Sequence, residues 1–92
     1  MTGSASRVLK IVNEKGLHAR ASAKLVEVVE RFDATAEVWR DGMSASGDSI
    51  MGLLMLAASK GTSIEVETSG NQADLLMDAL AALVADKFGE EY

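Results

Sequence analysis

The sequence predicts a small α+β protein of two layers, an open-faced sandwich in which helices cover one face of a sheet. Three observations carry that expectation. Three runs alternate apolar and polar residues with the period of a strand, and a fourth, short run follows a hairpin signal. Three others repeat apolar residues at helical spacing or are apolar nearly all round. The two kinds interleave along only 92 residues in the order β-α-β-β-α-β-α, which reads as one domain over 1–92.

Residues 1–6 are small and polar and read as a loose tail. Arg7 to Asn13 alternates, with Leu9 and Ile11 on one face, and is the first expected strand. Glu14 to Leu17 is a turn in which Gly16 supplies backbone freedom. Ala19 to about Arg31 is a helix whose buried stripe is Ala21, Leu25, Val28, Val29 and Phe32. Thr35 to Arg40 alternates again, with Ala36 and Val38 inward and Trp39 on the solvated face. Asp41-Gly42 is a hairpin signal leading into a short strand, Met43 to Ser46.

Ile50 to about Ala58 is a short helix with Ser49 as its N-cap. Its Leu53 and Leu56 point inward, leaving Ile50, Met51 and Leu54 partly outward. Gly61 breaks the chain, and Ser63 to Thr68 is the fourth strand. The last helix runs from about Gln72 to Lys87 on a stripe of Leu76, Leu80, Leu83 and Val84. Asp74 in its first turn and Lys87 in its last suit the helix dipole, and Gly89 reads as the residue after its end. Glu90 and Glu91 read as a solvated end.

Composition removes several function classes. The formal net charge is −5 and the isoelectric point about 4.7, which disfavours a nucleic-acid binder. There is no cysteine, so no disulfide framework and no thiolate metal site is expected. No apolar run approaches the roughly 20 residues of a membrane span. The first residues lack the cationic and apolar regions of a signal peptide, so the cytoplasm is the expected compartment. With 48% hydrophobic but only 4% aromatic residues, aliphatic side chains and methionine are expected to fill the core.

The chemistry concentrates at His18, the single histidine, in Lys15-Gly16-Leu17-His18-Ala19-Arg20. It falls where the first helix begins. The first N–H groups of a helix lack partners and its dipole is positive there, so an anion is welcome. A lone histidine at such a place often only titrates in solvent. Three features weigh against that here. Leu17 can anchor the turn in the core, Arg20 can reach a phosphate near the ring, and no acidic residue lies between Gly16 and Val26. The imidazole can therefore accept a phosphoryl group, with Arg20 and the helix N–H groups stabilising its charge. One histidine without clustered carboxylates is a poor metal-ligand set, and no cofactor is implied. Ser49 is foremost a cap. Yet the apolar surface beside it resembles a docking patch, and a phosphate there would add about −1.5 to −2 charge.

Gly16-Leu17-His18-Ala19-Arg20, followed by a helix, resembles the active-site signature of the HPr family, the histidine phosphocarriers of the bacterial phosphoenolpyruvate-dependent phosphotransferase system. Ser49-Ile50-Met51-Gly52 resembles the family's second motif, in the right order and spacing. The resemblance implies an antiparallel sheet of order 1-4-2-3. It implies phosphorylation of His18 at Nδ1 by phosphorylated enzyme I, with Arg20 stabilising phosphohistidine and transfer onward to an enzyme IIA-type acceptor. Ser49 would match a site modified by an HPr kinase/phosphorylase. Ala19, Lys24, Ile50, Met51 and Leu54 would match partner contacts of a monomer that presents one face to several proteins. Such a carrier is a relay intermediate and not an enzyme with turnover of its own.

Ala21 stands where most members have proline, which implies a less rigid helix start, and Asp48 puts a negative charge beside Ser49. Ala21-Ser22 with Gly47 to Gly52 is similar to variants of the nitrogen-related branch, which regulates and does not transport sugar. The alternative is a regulatory HPr-like protein switched at Ser49 without relay, against which the presence of His18 weighs. An acylphosphatase-like hydrolase would need a catalytic Arg and Asn in a phosphate-cradling loop, which the sequence lacks.

Overall fold

The computed structural model describes residues 3–92. The strands are β1 (Gly3–Lys10), β2 (Thr35–Arg40), β3 (Met43–Ser46) and β4 (Ser63–Gly70). The helices are α1 (Ala19–Glu30), α2 (Ile50–Met55) and α3 (Ala73–Ala85), followed by a 3-10 turn at Lys87–Gly89. All strand pairs are antiparallel, in the order β1-β4-β2-β3. This is the α+β open-faced sandwich that the sequence predicts.

Alternation decides which sheet face is covered. Leu9, Ile64, Val66, Ala36, Val38 and Ala45 are buried against the helices, while Glu65, Glu67 and Trp39 lie on the open face. Trp39 is 38% exposed, a cover and not core. Ile11, Leu25, Leu53, Leu56, Leu76, Leu80 and Phe88 complete one continuous apolar cluster. Asp41 and Gly42 both take positive φ, 50° and 79°, the geometry that lets a two-residue turn follow strand twist.

Several boundaries differ from the sequence expectation. The tail expected over 1–6 is in strand from Gly3 onward; Met1 and Thr2 lie outside the described residues. Gly3, Ser4, Ala5 and Ser6 have little strand preference of their own, but each faces a partner among Gly70, Ser69, Thr68 and Glu67 of β4. Pairing, not propensity, makes them strand. At its other end β1 stops at Lys10, so Asn13 is not a strand residue.

Phe32 lies past the end of α1 and is only half-buried, as is Leu83, whereas Ser22 and Val26 join the buried face of α1. Among the described methionines only Met77 is core; Met43, Met51 and Met55 are 47, 70 and 76% exposed. α3 ends at Ala85, so Lys87 is not in its last turn. Lys87, Phe88 and Gly89 take left-handed φ of 58°, 55° and 78°, which reverses the chain. That conformation costs roughly 1–2 kcal/mol for each residue with a side chain. Complete burial of the Phe88 ring offsets it.

Candidate functional site

The loop before α1 is tied down by backbone bonds at Glu14, Gly16, Leu17 and His18. Gly16 adopts φ +65° and its N–H donates to the Asn13 carbonyl at 3.2 Å. Leu17 is buried and donates to the Ala58 carbonyl at 2.8 Å, so the segment after α2 holds this loop. His18 is the N-cap of α1, in extended conformation, and its carbonyl accepts the first helical bond from Ser22 at 2.8 Å. Its side chain makes no capping bond. The N–H groups of Ala19, Arg20 and Ala21 therefore precede the first helical bond and are donors for an anion. No acidic residue stands in the first turn of α1.

An acid nevertheless reaches the ring from the other end of the chain. The Glu90 carboxylate, expected to be solvated, contacts His18 Nε2 through Oε2, and the two side chains are 15% and 27% exposed. Glu90 Oε1 accepts from Asn13 Nδ2 at 3.0 Å. The same Nδ2 donates to the Gly16 carbonyl at 2.9 Å. Both partners of this amide are acceptors, so its NH₂ must face them, and the buried Oδ1 is left without a partner. An unsatisfied buried acceptor costs about 1–3 kcal/mol. Asn13 is wholly buried and bridges the histidine loop to Glu90.

Burial raises the Glu90 carboxyl's pKa, but the hydrogen bonds from Asn13 and His18 and the charges of His18 and Lys15 outweigh it, leaving a net lowering. Lys24 Nζ donates to the Phe88 carbonyl at 2.6 Å, which anchors the turn that delivers Glu90. The cation expected to face a partner is thus half-buried and bonded within the chain.

His18, Ala19 and Arg20 line a cleft of ≈ 430 Å³ together with Lys15 and Glu90. Arg20 is exposed and makes no ion pair among the described residues, so its fork is available to an anion in that cleft. A cleft of ≈ 500 Å³ on the open sheet face is lined by hydroxyls, Glu37 and Glu67. Its charged groups are carboxylates, with no cation or histidine among them, so the smaller cleft is the one suited to phosphoryl chemistry.

Ser49 and the α2 surface stand outside this cleft. Ser49 Oγ accepts from the Gly52 N–H at 3.0 Å, the expected cap. Asp48 beside it accepts from Ser46 Oγ at 2.6 Å. Leu53 and Leu56 are core, Ile50 is 40% exposed and Leu54 is half-buried, as expected. Met55 extends the exposed patch, an outward position that the sequence reading missed. The missed residues of the cleft are Glu90 and Asn13. The one local signal for Glu90 is the aromatic-glycine pair before it, which can end a helix with a buried anchor.

Comparison with known proteins agrees with this architecture. A family model described as "PTS HPr component phosphorylation site" matches residues 5–86. The phosphocarrier protein HPr of Cupriavidus necator is 46% identical over 80 residues, 87% of this chain and 90% of that protein. The phosphocarrier protein NPr of Shewanella violacea is 42% identical over 84 residues, covering 91% and 92%. The crystal structure of HPr-C-His from Thermoanaerobacter tengcongensis superposes with a TM-score of 0.90 at 32% identity, covering 96% of this chain and 99% of that one.

Proposed function

The chain belongs to the HPr family of phosphocarriers, and from that premise we propose that it relays phosphoryl groups through His18. The observation that supports this reading best is the placement of the ring. His18 stands at the N-cap of α1 with its Nε2 face occupied by Glu90 and no capping bond from its side chain. Nδ1 is then the nitrogen left to attack phosphorus. The N–H groups at the start of α1 and the guanidinium of Arg20 are on hand for the transferred oxygens.

Phosphorylated enzyme I, charged from phosphoenolpyruvate, is the donor. An enzyme IIA-type protein is the acceptor, and the protein works as a monomer in the cytoplasm. Ile50, Met51 and Leu54 form the apolar docking surface with Ala19 at its side, and Lys24 joins only by giving up its bond to Phe88. Ser49 is a regulatory phosphorylation site for an HPr kinase/phosphorylase. A phosphate there would act by repelling an acidic partner beside the patch, with Asp48 adding to the same charge.

The test is incubation with enzyme I, phosphoenolpyruvate and Mg²⁺, read by intact mass. One acid-labile phosphate is expected, absent from His18→Ala and formed more slowly by Arg20→Ala. Label that survives in His18→Ala would sink the proposal. Acid-stable label on Ser49 alone, with a kinase and ATP, would replace relay by regulation. Offering the charged protein acceptors of the sugar-transport and nitrogen-related branches in turn would assign its branch.

A further inference from the structure

We propose that Glu90 is a positioning residue that selects the reacting nitrogen of His18, with Asn13 as its holder. The inference rests on His18 being the phosphoryl acceptor. A neutral imidazole carries its proton on one nitrogen and its nucleophilic lone pair on the other, and the partner of the protonated nitrogen decides which is which. A carboxylate accepts and cannot donate when ionised. Glu90 Oε2 against Nε2 therefore keeps the proton on Nε2 and leaves the lone pair on Nδ1.

The arrangement is built and not incidental. Asn13 Nδ2 donates to Glu90 Oε1 and to the Gly16 carbonyl, so one buried amide ties the carboxylate to the loop that carries the ring. It holds that orientation although Oδ1 finds no partner. Behind Glu90, the buried Phe88 ring and the Lys24 bond to the Phe88 carbonyl fix the turn. The other charged groups of the cleft are Glu14, Lys15, Arg20 and Glu91, and neither of these acids pairs with the ring.

The pair also acts during transfer. The Nδ1 lone pair forms the bond to phosphorus while the donor's bond to phosphorus breaks, its electron pair staying on the donor atom. The proton on Nε2 remains there. The phosphorylated ring is now cationic, and Glu90 is the counter-charge that keeps it so. A cationic ring is the better leaving group. When an acceptor's nucleophile attacks phosphorus, the N–P pair returns to Nδ1 and the ring is neutral again.

The experiment compares the full chain with Glu90→Ala and Asn13→Ala. Imidazole ¹⁵N shifts and long-range couplings of the unphosphorylated protein, taken where the ring is neutral, report the tautomer. Initial rates of phosphoryl uptake from enzyme I report the consequence. The expected result is a single Nε2–H tautomer in the parent and a mixture in Glu90→Ala. Uptake should be slower by about ten- to a hundredfold, the range for removing a carboxylate behind a ligating histidine. Asn13→Ala should fall between the two.

A parent ring that is mixed or protonated at Nδ1 would overturn the proposal. So would an unchanged tautomer in Glu90→Ala, or an unchanged rate despite a changed tautomer. A parent that takes no phosphoryl group at all would sink the relay reading, while the tautomer comparison would still decide whether Glu90 orders the ring.

Discussion

An alanine at position 16 would place its Cβ 2.4 Å from the Ala58 carbonyl oxygen and 2.9 Å from the Ser59 Cα, both backbone atoms that cannot swing aside. Gly16 also holds φ +65°, where a side chain is strained. Gly16→Ala should therefore destabilise the protein by about 2 kcal/mol or more, read by urea unfolding. Its rate of phosphoryl uptake should fall as well, because the residue displaced is two before the N-cap. An unchanged unfolding midpoint would show that the loop is looser than its bonds imply. At this scale, what the sequence reveals depends on how local each partner is. His18 as the helix start and Ser49 as a cap are legible because their partners, Ser22 and Gly52, are within one helical turn. Glu90 is not legible, because it meets the ring across 72 positions of chain and two adjacent glutamates near an end look solvated.

Among the elements, the 3-10 turn has the largest effect for its length. It takes left-handed φ at Lys87 and Phe88, which a sequence pattern of alternating or helical period cannot signal. What stabilises it is tertiary, the wholly buried Phe88 ring and the Lys24 bond. Phe88→Ala should cost about 3–5 kcal/mol of unfolding free energy, the usual range for emptying an aromatic core site. In the same variant the His18 ring should lose its single tautomer, because the turn that brings Glu90 to it is no longer anchored. A destabilised Phe88→Ala with a parent-like imidazole spectrum would mean that Glu90 is held by Asn13 alone. The strands follow the same logic in milder form. β2 and β4 are legible from alternation and β3 from the Asp41-Gly42 turn before it, whereas the first half of β1 has only Gly, Ser and Ala to show and becomes strand through β4.

Across the whole molecule, acid should act on stability through the contact of Glu90 with the loop before α1. The Glu90 carboxyl is lowered from its ordinary 4.5, since the hydrogen bonds and charges around it outweigh its burial. A carboxyl held below its unfolded value stabilises the folded state fully above that value. It loses the contribution as pH falls through the folded one. The parent should therefore exceed Glu90→Gln in unfolding free energy at about pH 5 and above. The margin should narrow below about 4.5. Over the same interval the net charge, −5 at pH 7, passes zero near the isoelectric point of about 4.7. Association through the exposed Met51 and Met55 patch then becomes easier, so the titration needs low protein concentration and a check of size. Urea unfolding of both proteins at stepped pH, treated as two-state for a chain of this size, gives the comparison directly. A margin at pH 3 equal to that at pH 7 would mean that Glu90 is tied to the fold by packing and not by its charge. The tautomer control assigned to it would then lose its electrostatic basis.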